Sequence, residues 1–561
     1  MGKTRQRFIT GFCWIIILMG TSCSVQPSVH SVLTSTPFQP ESVSTEVAQP
    51  PSERIYFSAV LPQEWQHSLS SLAGTEIVGS DHEADFIFQP STMKDDEGAV
   101  FSAERIYAAV VPFFTVEDGI TAEELKACWQ GQLEGGEQRK IYISPEAYKL
   151  WSVLWGEPGI NVITNNPEDL LEQVENSEHA LAIVPFEELE PHWKVLKIDG
   201  VSPLDKPLQV SSYPLTAYFH LVSRNPESSQ DNQLKSLMAG VIPTTNRDES
   251  KMTVLIMSGT TAITRGLAYK IRINSADYPV DAIKDWFLTA DLRHVSNESP
   301  FVKDCPEPDP YTSSLIFCSS LEDIEVLEKI GINVVELTGN HVDDYGAENL
   351  ISTIKMYQDR GWGYFGGGLD ADDARSPYLT EHNGNKIAFI GCNPVGPNSV
   401  WAKEGHAGAA QCDFDYLTKK IRELKEQGYI VIATFQHEEL TKQDGAEAVL
   451  MYAEKISGDF QALAAAGADI VQGSQAHYPM GFEFYGSSLI HYGLGNFLFD
   501  QMWEPNRNEF IDRHILYDGK YISTELKTAI LMDWSRPTPM TAEEREQFLN
   551  SIFKASLQRM K

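Results

Sequence analysis

The sequence predicts an α/β protein with two folded units, and three observations lead there. The chain has 561 residues, 42% hydrophobic and 10% aromatic, enough for more than one core and too apolar for wholesale disorder. From about residue 53 onward, short apolar runs alternate with helix-like patterns. In the second half, four or five apolar runs each end in polar residues, which is where α/β folds place their sites.

The N-terminus comes first. Lys3, Arg5 and Arg7 precede an apolar run of 13 residues, Phe8 to Gly20. A stable membrane-spanning helix needs roughly 20 apolar residues, so this run fits a secretory h-region. Gly20, Thr21 and Ser22 lead to Cys23, and the whole resembles a bacterial lipoprotein signal with Cys23 as the lipidated residue. An ordinary cleaved signal with an incidental cysteine is the alternative. The lipoprotein reading implies export, a membrane contact through Cys23, and residence on the outer face of the cytoplasmic membrane or in the cell envelope. Residues 1–22 are then the signal and 23–52 a tether; 15 of the 29 residues from 24 to 52 are Ser, Thr or Pro, too polar to pack.

Residues 53–225 form the first unit. Strands are expected at 55–61, 84–90, 105–113, 140–144 and 179–186, and helices at 122–132 and 145–156. VVPFFTVEDGITAEELKACWQGQ (110–132), ALAIVPFEEL (180–189) and LKIDGVSP (196–203) resemble type 2 periplasmic solute-binding proteins of the phosphate branch. The resemblance implies a periplasmic-binding-protein-like lobe. That family grips an oxyanion on a Ser-Gly-Thr-like turn opening a helix. This chain has Ser144-Pro145-Glu146 at the matching place, and proline has no N–H while glutamate repels an anion. Ser144 with Pro145 reads as a plain helix cap, so no ligand of this lobe follows.

Residues 226–250 read as a linker, 251–535 as the second unit, and 536–561 as a C-terminal helix capped by Thr541 and Glu544. In the second unit KMTVLIMSGTTAITRG (251–266), DLRHVSNESPF (291–301), INVVELTGNHVDDYG (332–346), KIAFIGCNPVG (386–396), YIVIATFQHEE (429–439) and GADIVQGSQAH (467–477) are strands with polar ends. Helices are expected at 320–331 and 415–428. The order NES, LTGNHVDDYG, GADIVQGSQAH and YGLGNF resembles the CapA family over roughly 250 residues.

That resemblance implies a calcineurin-like metallophosphoesterase-type α/β sandwich and a role in poly-γ-glutamate capsule synthesis. Position by position, it implies Glu298, Asn340 and His477 as metal ligands, His341 as a catalytic histidine and Asp344 as its orienting carboxylate. Arg265 matches a family arginine and is the candidate contact for a polyanion. Gln436, His437, Gln475 and Asn496 are the other candidate ligand-binding residues. Three positions depart from the family: Thr260 replaces an aspartate, and Gln436 and Gln475 replace histidines. Neutral oxygens do not supply the charge and nitrogen donation that a transition-metal pair needs. The cofactor expectation is therefore one divalent ion (Mn, Mg or Ca) or none. His437, one residue past a strand end, should face away from Gln436.

Three readings stay open: a CapA-like lipoprotein handling capsule polymer over a degenerate metal centre, an active metal-dependent phosphoesterase, and a non-catalytic envelope binding protein. An anionic polymer or glycan and other capsule or envelope proteins are the expected partners. Nucleic acid is excluded, because 78 acidic residues against 44 Lys and Arg give a net charge of −34. Cys305 and Cys318 flank a proline-rich loop and are expected to pair in an exported protein; Cys392 and Cys412 are a second candidate pair. Buried thiols are the alternative for both.

Overall fold

The computed structural model describes residues 53–70, 72, 74–96, 98–132, 139–224, 231–437, 454–474 and 477–559. The signal and tether, with Cys23, and Gln475 lie outside these described residues. Ser52–Lys561 forms one compact unit.

A nine-stranded mixed sheet spans the first part of this unit. Its backbone is the 14-residue strand Ala99–Pro112. The first half of that strand pairs with Thr216–Ser223 and the second half with Ala180–Pro185 and Trp193–Val195, all antiparallel. Lys140–Ile143 pairs in parallel with both Ala180–Pro185 and Val162–Thr164. The helix Pro145–Trp155 begins as its sequence dictates: Ser144 Oγ accepts from Ala147 N–H at 3.2 Å, with proline in the first turn.

Three spans depart from the sequence reading, one of them at the start of 536–561, where Arg536–Pro539 is a strand paired with Lys520–Met532 and the helix begins only at Ala542. The strand expected over 55–61 is Glu53–Phe57, because Pro62 stands at the start of the helix Gln63–Leu69 and residues 58–61 turn to reach it. Residues 226–250, read as a linker, contain the helix Asp231–Ala239, which buries Leu234 and Met238 against the core of the first sheet. The pairing is reinforced by Glu104 N–H donating to Thr244 O at 2.9 Å.

The second part is a sandwich of two sheets. One has eight strands, including Leu292–Asn297, Met252–Ser258, Asn508–Tyr517 and Lys520–Met532; the other has six, including Asn385–Cys392, Ile430–Gln436 and Ile470–Ser474. Met252–Ser258 is buried at every position, as a strand covered on both faces must be. Its Leu255 and Met257 meet Phe389, Ile432 and Ile470 of the facing sheet. Its Val254 and Ile256 join the helix residues Leu267 and Leu350 on the other side. Leu417, Ile421 and Phe460 cover the outer face of the six-stranded sheet. The order of layers is helix, sheet, sheet, helix, a mixed α/β architecture.

The helix Ala542–Arg559 carries the expected capping box: Glu544 N–H donates to Thr541 Oγ1 at 3.3 Å, and Thr541 N–H donates to Glu544 Oε2 at 2.8 Å. Its Phe553 packs on both Phe482 of the six-stranded sheet and Phe113 at the end of the long first strand. Among the described residues, no helix is long and apolar enough to cross a membrane.

Candidate functional site

Parallel strands deliver their polar ends to one edge of the sandwich. Leu292–Asn297 is followed by Glu298, Val334–Glu336 by Asn340 and His341, Ile430–Gln436 ends on Gln436, and Ile470–Ser474 leads to His477. The loop bearing Asn340 lies hard against the one bearing Glu298. A Cβ on Gly339 would stand 2.4 Å from Glu298 Cβ, so only glycine allows this approach.

Glu298 is 1% exposed. Its Oε2 accepts from Gln436 Nε2 at 3.2 Å, while Oε1 has no partner among the described residues. The same Gln436 Nε2 reaches Asn340 Oδ1 at 3.4 Å. Burial raises the Glu298 pKa above the ordinary carboxylate range, opposed by the nearby His477, His341 and Gln436.

The orientation of Gln436 is fixed from outside the site. Asn393 Oδ1 accepts from the N–H groups of Val395 and Gly396 at 2.9 and 2.7 Å. Its Nδ2 must then point the other way, donating to Thr338 O at 2.8 Å and to Gln436 Oε1 at 2.9 Å. With its oxygen engaged, Gln436 turns its N–H groups toward Glu298 and Asn340.

His341 Nδ1 lies 2.8 Å from Asp344 Oδ2, the pairing that the resemblance implies. The Asp344 Oδ2 atom also accepts from Phe317 N–H at 2.7 Å. Burial works to lower the His341 pKa, but the bond to Asp344 and the charge of Glu298 outweigh it, so the net shift is upward. His477 Nδ1 lies 2.7 Å from Asn496 Oδ1. Asn496 itself donates to Gln501 and to Asn506 O, both at 3.2 Å, which makes it a brace for His477.

Two of the candidate ligand contacts have partners inside the protein. Arg265 is occupied: it grips Asp500 through two bonds of 3.2 and 2.5 Å and stacks over Phe317 and Phe499. It is a clamp on the site wall, with its Nε and Nη2 edge committed to Asp500. His437 faces away from Gln436 and pairs with Asp459 Oδ2 at 2.9 Å, as strand alternation requires. Arg265 and His477 both hold left-handed backbone, with φ of 47° and 54°, a conformation that non-glycine residues keep only where surroundings enforce it.

Cys305 and Cys318 are joined with Cα atoms 5.9 Å apart, and Cys392 and Cys412 with Cα atoms 5.0 Å apart. The first bridge matters to the site. It anchors Phe317, whose ring lies 4.3 Å from the His341 ring and 6.1 Å from Phe499. Sequence reasoning missed Asn393, Phe317, Phe499 and Asp500. For Asn393 the signal was available, since it ends an apolar strand like the other site residues.

A metal pair of the kind that the resemblance implies does not fit this donor set. A cation needs lone pairs facing it, and here an amide N–H group points at both the carboxylate and the amide oxygen that would bind it. Thr260 N–H is committed to Gly495 O at 3.1 Å, inside a strand that pairs with Ser296 and Asn297. Among the described residues, no group of three or more His, Cys, Asp and Glu side chains is arranged to hold a metal ion.

Comparison with known proteins covers the region that builds this site. Residues 254–501 match the family model described as bacterial capsule synthesis protein PGA_cap. The capsule biosynthesis protein CapA of Bacillus anthracis is 25% identical over 312 residues, 54% of this chain and 72% of that protein. The PGA biosynthesis protein CapA of Bacillus subtilis (strain 168) is 27% identical over 200 residues, 35% of this chain and 51% of that one. Among solved structures, an ABC-type phosphate transport receptor from Vibrio cholerae is similar over 34% of this chain and all of its own (12% identity, TM-score 0.25). A 5′-nucleotidase precursor from Thermus thermophilus is similar over 55% of this chain and 60% of its own (14% identity, TM-score 0.29). Residues 254–501 are thus similar to bacterial capsule synthesis proteins of the PGA_cap family.

Proposed function

We propose that this chain is an exported, Cys23-anchored lipoprotein of the cell envelope that handles capsule polymer of the poly-γ-glutamate kind, binding it without hydrolysing it. The role in capsule synthesis is carried over from the names of the two relatives. The observation that carries the non-hydrolytic part is the Gln436 amide N–H facing Glu298 and Asn340. An in-line hydrolysis of the two-metal type needs cations at that place to polarise the reacting oxygens. Hydrogen-bond donors and the His341–Asp344 pair suit recognition of carboxylate or amide groups instead.

A second reading is favoured by one atom. Glu298 Oε1 is buried without a partner among the described residues, so a single hard cation such as Mn, Mg or Ca could sit on it. In that case Glu298 and Asn340 would hold the ion as a structural or ligand-bridging group. The test is equilibrium binding of γ-linked polyglutamate to the full chain, followed by sizing of the recovered polymer. Binding with unchanged polymer length is expected; shortened polymer overturns the non-hydrolytic reading.

A further inference from the structure

A second cavity, of about 190 Å³, lies where the nine-stranded sheet, the eight-stranded sheet and the C-terminal helix meet. Lys194, Lys197, Glu525, Lys527, Asp118 and Arg545 are among the residues that line it. Four cations face two carboxylates here, the reverse of the sign of a chain carrying −34. None of the residues that line it belongs to the Glu298 site.

The partners of each charge show what is left over. Asp118 accepts two bonds from Arg545, at 2.7 and 2.8 Å, and lies 2.7 Å from Lys194 Nζ. Lys194 also donates to Thr115 O and Val116 O at 2.7 and 3.0 Å, which uses all three of its protons. Glu525 is paired with Arg513. Both carboxylates are thus engaged. Among the described residues, neither the Lys197 nor the Lys527 ammonium makes a hydrogen bond or an ion pair. Trp286, shared with a neighbouring cavity of about 320 Å³, adds an apolar wall beside them.

Ammonium groups held together in a partly dry cleft are unfavourable without a counter-charge. Burial lowers the Lys527 pKa, and Lys197 and Arg513 push it the same way, against the pull of Glu525 and Asp205. We propose that this cleft is an oxyanion site, in which a carboxylate or phosphate group sits between Lys197 and Lys527. An anion there would supply the acceptors that the fold withholds, and would contact both sheets and the C-terminal helix at once. The inference is independent of what the Glu298 site binds.

Calorimetric titration of the full chain at low ionic strength, with inorganic phosphate in one arm and glutarate in the other, tests this. Saturable binding of at least one anion is expected, weakening as salt is raised. Binding of phosphate alone identifies a phosphate source, and binding of glutarate identifies a carboxylate chain. Lys197→Met and Lys527→Met should each weaken that binding at least tenfold. Lys197 sits on a two-residue strand, so its variant keeps the test intact if the Lys527 variant does not fold, and a thermal melt checks both. No saturable binding by the unmodified chain overturns the proposal. So does binding that survives in a folded variant, since the anion then sits elsewhere.

Discussion

The Glu298 site and the lysine cleft are opposite in how they treat their polar groups. At the strand ends the chain meets most of its polar groups itself: Gln436 fills the gap between Glu298 and Asn340, Asp500 takes Arg265, Asp344 takes His341 and Asn496 takes His477, while Glu298 Oε1 is left without a partner among the described residues. In the cleft two ammonium groups are left without partners among the described residues. The first lobe repeats the strand-end pattern. Arg105, 6% exposed, is surrounded by Glu64 and Glu146 at 3.5 Å and Glu187 at 2.5 Å. Glu146 is the residue that replaces a small anion-gripping position in the resemblance. In the Glu298 site and around Arg105 the chain's own side chains meet most of the charge; in the lysine cleft two ammonium groups are left over.

The strand-end site is most severely disturbed at Gly339. Replacing it by alanine drives a Cβ into Glu298, with backbone as well as side chain in the way, and should cost about 3 kcal/mol or more. Urea denaturation measures it, and a tolerated alanine would mean that the two loops do not approach as described. Next in size is the Cys305–Cys318 bridge. Cys305→Ser with Cys318→Ser opens a loop of sequence separation 13 and should cost about 3 kcal/mol by loop-closure entropy. The same change frees Phe317 beside His341, so NMR should show the His341 ring resonances shifting.

Gln436→Glu tests the self-satisfied arrangement at its centre. It removes the N–H groups that satisfy Glu298 and Asn340 and sets a second carboxylate in their place. A loss of about 2 kcal/mol is expected at neutral pH, with recovery on adding Mn²⁺ if the new carboxylate pair captures an ion. Smallest is Lys527→Met, which removes an ammonium whose pKa is lowered by burial. The unfolded lysine binds its proton up to its ordinary pKa, and the folded one releases it at a lower pH. Stability of the unmodified chain therefore falls as pH drops from the ordinary lysine pKa through the folded value. The variant should lose that slope in alkaline thermal melts and be slightly more stable at neutral pH.

Much of the fold was legible because apolar runs with polar ends are local. Met252–Ser258, Ile430–Gln436 and Ile470–Ser474 announce themselves, and parallel pairing brings their ends together. His437 was legible too, since strand alternation alone turns it away. What stayed hidden depends on distant partners. Arg265 looks like a free cation until Asp500, 235 residues on, folds against it. The direction of the Gln436 amide is set by the backbone of Val395 and Gly396 through Asn393. Lys197 and Lys527 lie 330 positions apart in the sequence, and a net charge of −34 averages them away. The helix Asp231–Ala239 was missed because its polar flanks resemble a linker, while Leu234 and Met238 carry the packing.

The reading of the strand-end site turns on whether it assembles a two-metal centre. Metal analysis of the purified full chain after Mn²⁺ and Zn²⁺ loading and exhaustive dialysis, with a phosphodiester turnover assay on the same sample, decides this. No more than one retained ion per chain and no turnover are expected; two tightly held transition-metal ions with turnover would contradict the non-hydrolytic reading.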